Sequence, residues 1–184
     1  YGRAQRRARS HGTGRDRGAA DLGQYLIDAH SPGEMSALGA ALAHGLPALD
    51  AAPLLLFLAG ELGAGKTTLA RGLLTALGVA GPVRSPTYTL VEVRTLPRRT
   101  VVHADLYRLS DPDELEALGL RDLHAPGHLW IVEWPERAAR SLPAPDLELR
   151  LAIDARAHTV QVDSASERGV AWLRDSLEIK RVSL

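Results

Sequence analysis

The chain has 184 residues, no cysteine and a formal net charge of zero, and 45% of its residues are hydrophobic. That length supports a single domain with a substantial core. The even balance of charge excludes a global basic field for nucleic acid. The lack of cysteine excludes disulfides, thiolate metal sites and a cysteine nucleophile, and fits a reducing compartment.

Residues 1–20 carry Arg3, Arg6, Arg7, Arg9, Arg15 and Arg17 against a single acid, Asp16, among glycines and serines. This composition predicts a disordered basic tail ahead of one domain spanning 21–184, and it lacks the apolar region of a secretory signal. An RNA-binding arm and a merely solvated tail both fit; the solvated tail is preferred. No apolar run reaches the roughly 18 residues a membrane-spanning helix needs.

Met35, Leu38, Leu42 and Leu46 then recur at helical spacing, with Ser31 or Ser36 as a cap and Pro47 beyond the end. The apolar run Leu54–Leu58 reads as a buried strand, and Leu69, Leu73 and Leu77 as the face of a helix stopped by Gly78. Ser85-Pro86-Thr87-Tyr88-Thr89 begins as a turn and becomes a strand at Leu90-Val91. Thr100–Asp105 is a short strand. Asp111-Pro112-Asp113-Glu114 has the chemistry of a helix start, and Gly119 ends that piece. Leu129–Val132 is a buried strand that delivers Glu133, and Pro135 breaks it. Leu147–Ile153 and Thr159–Val162 alternate as antiparallel strands around a turn near Asp154. A last helix holds Val170, Leu173 and Leu177, with Trp172 as a packing or edge aromatic. The order predicts an α/β fold: a three-layer, P-loop NTPase-like domain with a mixed, mostly parallel central sheet and late antiparallel strands.

Between the first buried strand and its helix stands Gly60-Glu61-Leu62-Gly63-Ala64-Gly65-Lys66-Thr67, which fits the phosphate-binding pattern G-x-x-x-x-G-K-[ST] at every fixed position. Strand, glycine-rich turn and helix start form a nest of backbone N–H groups for phosphate oxygens. Gly60, Gly63, Ala64 and Gly65 would line it, with Gly63 and Gly65 free to take positive φ. Lys66 would reach the β- and γ-phosphates, the Thr67 hydroxyl would ligate Mg²⁺, and Thr68 would sit near the α-phosphate. Such a loop needs an acid from another strand. Asp105 and Glu133 both end buried strands, where ligands of open α/β sheets bind. Thr87 or Thr89 would add a hydroxyl on a segment placed to sense the γ-phosphate. His103 reads as structural rather than as a base. Arg108 fits a phosphate or an ion pair with Glu114 or Glu116, and Trp134 fits a packing ring or an exposed anchor. No Asn-Lys-x-Asp guanine reader and no Leu-Ser-Gly-Gly-Gln run occurs. The residues therefore point to an ATPase or ATP switch.

Five blocks, Gly60–Thr68, Ser85–Val91, His103–Leu109, Glu114–Gly119 and Glu133–Glu136, resemble in sequence and order those of the TsaE (YjeE) family, over about residues 34–163. The resemblance implies a cytoplasmic, Mg²⁺-dependent ATPase that works with TsaB and TsaD in threonylcarbamoyl modification of tRNA adenosine, meeting tRNA only through that complex and no membrane. It places Thr67 and Glu133 on the Mg²⁺ side, Asp105 near the γ-phosphate or its water, and Ser85–Thr89 as the nucleotide-responsive segment. Lys66, Asp105 and Glu133 are then the catalytic set. Met35 stands where the family often has a nucleotide-side threonine, with Ser36 as a substitute. His158, beside Arg156, stands for a late arginine, and Ala104 for an aromatic. No arginine finger is evident in cis, so slow hydrolysis alone and faster hydrolysis in a complex are expected. A small-molecule kinase and a non-catalytic nucleotide-gated module are the alternatives.

Overall fold

The computed structural model describes residues 5–6, 24–48, 52–111, 114–153 and 157–182. Of the expected basic tail only Gln5–Arg6 is described, as a short strand; the rest of 1–20, Pro112 and Asp113 of the expected helix start, and the expected turn at Asp154 lie outside the described residues.

Among the described residues eight strands form one sheet: β1 (Gln5–Arg6), β2 (Gln24–Ala29), β3 (Leu54–Gly60), β4 (Val91–Thr95), β5 (Thr100–Asp105), β6 (His128–Glu133), β7 (Leu147–Ile153) and β8 (His158–Ser164). Their order is β1-β2-β8-β7-β3-β6-β5-β4. The central strands β7, β3, β6 and β5 run parallel, and the outer ones join antiparallel. This is the mixed sheet that the alternation of elements predicts. β2 is a strand the sequence pattern did not reveal.

One face is covered by α1 (Pro32–His44), α2 (Lys66–Ala76) and α4 (Glu167–Val182). Ser31 caps α1 by accepting from the Glu34 amide at 3.1 Å, so the cap is Ser31 and not Ser36. α1 and α2 touch backbone to backbone: a Cβ on Gly39 would strike the Leu69 carbonyl, and one on Gly72 the Ser36 carbonyl. Trp172 of α4 is fully buried and donates its indole N–H to the Leu42 carbonyl at 2.7 Å, which settles it as a packing residue. The other face is thin, with the four-residue α3 (Glu114–Ala117) and 3-10 turns at Leu120–Leu123 and Pro135–Ala138 over Val102, Ala104, Trp130 and Val132. Among the described residues no helix is long and apolar enough to cross a membrane.

The period-two alternation of the strands decides where the polar residues go. Leu129 and Ile131 of β6 and Val101 of β5 pack under the thick helical layer, while Trp130, Val132, Val102 and Ala104 face the thin one. Continuing the same alternation puts His103, Asp105 and Glu133 on the α2 side. Asp105 and Glu133 are direct partners in the parallel register, and Leu58 is the partner of Glu133 on β3.

Candidate nucleotide site

The loop between β3 and α2 takes the conformation its glycines permit. Gly63 and Gly65 have φ of 83° and 101°, in the region that side chains avoid. Gly65 also holds the N-cap position of α2 without any side-chain cap, so the first amides of that helix remain free for an anion. Gly60 is constrained differently: a Cβ there would collide with the Leu151 carbonyl of β7.

Lys66 is nearly buried and donates to the carbonyls of Gly60 at 2.6 Å and Glu61 at 2.8 Å. Its ammonium also lies 3.7 Å from the ring centroid of Trp134. Loss of hydration lowers its pKa from the ordinary lysine value, against the raising influence of Glu133, Glu136, Asp105 and Glu61. The Thr67 hydroxyl donates to Glu133 Oε2 at 2.7 Å, and His103 Nε2 stands 2.9 Å from Glu133 Oε1. Among the described residues His103 Nδ1 has no hydrogen-bond partner. Asp105 accepts from Ser85 Oγ, from Thr87 Oγ1 at 3.1 Å and from the Tyr107 amide at 3.0 Å. The 85–87 segment is thus fastened to the strand-end acid through two hydroxyls.

These groups surround a cleft of about 310 Å³. Its wall includes Gly63, Gly65, Lys66, Thr67, Thr68, Thr87, Asp105 and Glu133, residues far apart in sequence that the expected site had grouped. Gly60 and Ala64 stay in the loop backbone beneath. Thr89 is exposed and does not line the cleft, so of the two candidate hydroxyls Thr87 is the one in place. Ser36 does not line the loop either; Met35 does, with its Cε 3.2 Å from where a Gly65 Cβ would stand. Arg108 forms neither expected ion pair: its guanidinium lies 4.5 Å from the Tyr88 ring centroid, and Arg121 holds Glu116 at 2.8 Å.

Two features have no clear sequence signal. Trp134 takes a left-handed conformation, φ 60° and ψ 49°, which turns its ring back over Lys66 and onto Tyr107 at 4.9 Å. Ser85, inside the expected responsive segment, contacts Asp105 directly.

A sequence model of the threonylcarbamoyl adenosine biosynthesis protein TsaE matches residues 29–161. The chain belongs to the TsaE family. It is 40% identical over 116 residues to the tRNA threonylcarbamoyladenosine biosynthesis protein TsaE of Haemophilus influenzae, covering 63% of this chain and 73% of that one. It is 41% identical over 143 residues to the TsaE protein of Streptomyces coelicolor, covering 75% and 93% respectively. The crystal structure of Bacillus subtilis YdiB superposes with a TM-score of 0.67 at 22% identity, over 88% of this chain and 99% of that one. That likeness establishes a shared fold. The TsaE match runs from the end of β2 through α1 and into β8, and so contains every residue that lines the cleft.

Proposed function

We propose that this TsaE-family chain binds ATP with Mg²⁺ and hydrolyses it slowly, in support of threonylcarbamoyl modification of tRNA adenosine together with TsaB and TsaD. One observation carries the reading. An uncapped helix start, a desolvated lysine, a threonine hydroxyl and two buried strand-end carboxylates converge on a single cleft. A merely structural glycine turn gives no reason for Lys66 to be buried on carbonyl oxygens, or for Glu133 to be bonded to Thr67 rather than to a cation.

The donor set fits magnesium, a hard ion that takes few protein oxygens and keeps water and phosphate in its remaining positions. Thr67 and Glu133 would hold it, and when bound it neutralises charge on the β- and γ-phosphate oxygens. Lys66 would exchange the Gly60 and Glu61 carbonyls for phosphate oxygens, better acceptors for an ammonium. The loop amides would fix the phosphate chain. Asp105 would orient the attacking water, and its hydroxyl ties to Ser85 and Thr87 give the 85–87 segment a direct link to the reacting end. His103 positions Glu133. Phosphoryl transfer to water depends mainly on such placement and charge.

Phosphate release from Mg·ATP, measured for the chain alone and with TsaB and TsaD added, tests the reading. Slow release that rises in the complex is expected. No rise with the partners present would remove their part in the site, and acceptor-dependent transfer without phosphate release would make the protein a kinase.

A further inference from the structure

A second hollow of about 210 Å³ adjoins the glycine loop, and Glu133 does not line it. It shares Gly63, Gly65 and Thr68 with the first cleft and adds Ser31, Met35 and His158. A phosphate chain whose distal end meets Lys66 and Glu133, and which runs over the loop amides to the start of α2, leaves its nucleoside toward this hollow. The character of the hollow therefore bears on the base.

Met35 contributes a thioether, a soft apolar contact with little hydrogen-bonding capacity. His158 contributes a polar ring whose orientation is fixed by the loop itself. Its Nδ1 stands 3.0 Å from the Ala64 carbonyl oxygen. A carbonyl only accepts, so Nδ1 carries the hydrogen. In the neutral imidazole, Nε2 is then a lone-pair acceptor with no hydrogen to give.

We propose that His158 reads the nucleobase. Its Nε2, held as an acceptor by the Ala64 carbonyl, favours a purine with an amino group at position 6 over one with a carbonyl there. An amino group donates to Nε2, whereas a carbonyl sets one acceptor against another and leaves both unpaired. Because the same ring nitrogen pair ties base reading to Ala64, the base and the phosphate cradle are coupled through one side chain. This inference rests on the nucleotide reading above and adds to it the selection of adenine by a residue of this chain.

Inosine triphosphate tests the point, since it replaces the 6-amino donor of ATP by a carbonyl and the N1 lone pair by an N–H. The full chain is titrated calorimetrically with Mg·ATP, Mg·ITP and inorganic tripolyphosphate at about pH 8. ATP is expected to bind about tenfold more tightly than ITP. In His158→Phe, which keeps an aromatic ring but has no acceptor, that ratio should fall to about one. Equal wild-type affinities, or a preference that survives in His158→Phe, would overturn the assignment while tripolyphosphate binding leaves the phosphate cradle standing. Loss of binding to all three ligands would instead remove the nucleotide reading, and the base site with it. If His158→Phe fails to fold, judged by its circular-dichroism melt, His158→Leu, which also lacks the acceptor, is titrated in its place with the same expected ratio.

Discussion

Asp146 and Glu133 are both buried carboxylates of the same sheet, at its opposite ends, and the fold treats them in opposite ways. Asp146 leads into β7 and is closed on all sides. Its oxygens accept from the Leu55 amide at 2.9 Å, from Ser166 Oγ at 2.5 Å and from Arg168 at 3.0 Å. Glu133 ends β6, with a hydroxyl and a histidine ring as its hydrogen-bond partners. The nearby ammonium of Lys66 donates to backbone carbonyls instead. A buried acid whose charge is met by amide, hydroxyl and guanidinium pins β7 to β3 and α4. A buried acid beside a cation that is bonded elsewhere keeps its capacity for something that has yet to arrive. Burial alone does not separate the two; the partners do.

The contrast can be broken most severely at Lys66. Lys66→Ala should abolish Mg·ATP hydrolysis, a loss of at least about a hundredfold, because the preorganised charge at the phosphates goes with it. Retained phosphate release would exclude the glycine loop as the site. Matched amide substitutions come next. Glu133→Gln should lower Mg²⁺-dependent hydrolysis by about a hundredfold yet change folding stability by less than about 1 kcal/mol, since the amide can still bond to Thr67 or His103. Asp146→Asn should do the reverse. It leaves Arg168, which is 31% exposed, facing a neutral group, and should lose about 2 kcal/mol in a urea melt with nucleotide affinity of the folded protein unchanged. Equal effects of the two substitutions on both readouts would erase the distinction.

The smallest effect is one of pH. Burial lowers the Lys66 pKa from 10.5, so between its folded value and 10.5 the unfolded chain binds more protons than the folded one. Stability should therefore rise with pH across that window. The gain should be missing in Lys66→Met, which is checked by comparing melts of the two proteins between about pH 8 and 10. A steeper rise in the variant would give the wrong sign.

Much of this was legible in sequence because it is local. The glycine spacing states where backbone must approach an anion. The strict alternation of β5 and β6 carries Asp105 and Glu133 to the face where α2 starts, once both strands are recognised as parallel. What could not be read depends on distant partners. β2 carries only Ile27 and Ala29 as buried apolar residues and gains its ladder from β8, more than a hundred residues away. Asp146 looks like any loop acid until Leu55, Ser166 and Arg168 are brought to it. Arg108 had plausible acids nearby in sequence, but Glu116 is taken by Arg121, and the Tyr88 ring, three positions beyond Ser85, offered Arg108 a flat face that no charge count reveals. The fold of Trp134 over Lys66 needs a positive φ at a non-glycine residue, which no local propensity favours.

Titration of the wild-type chain with Mg·ATP in a calorimeter, beside Lys66→Ala, addresses the central point directly. Saturable heat in the wild type that disappears in the variant is the predicted result. No heat in the folded wild-type protein, or an unchanged isotherm in the variant, would contradict it.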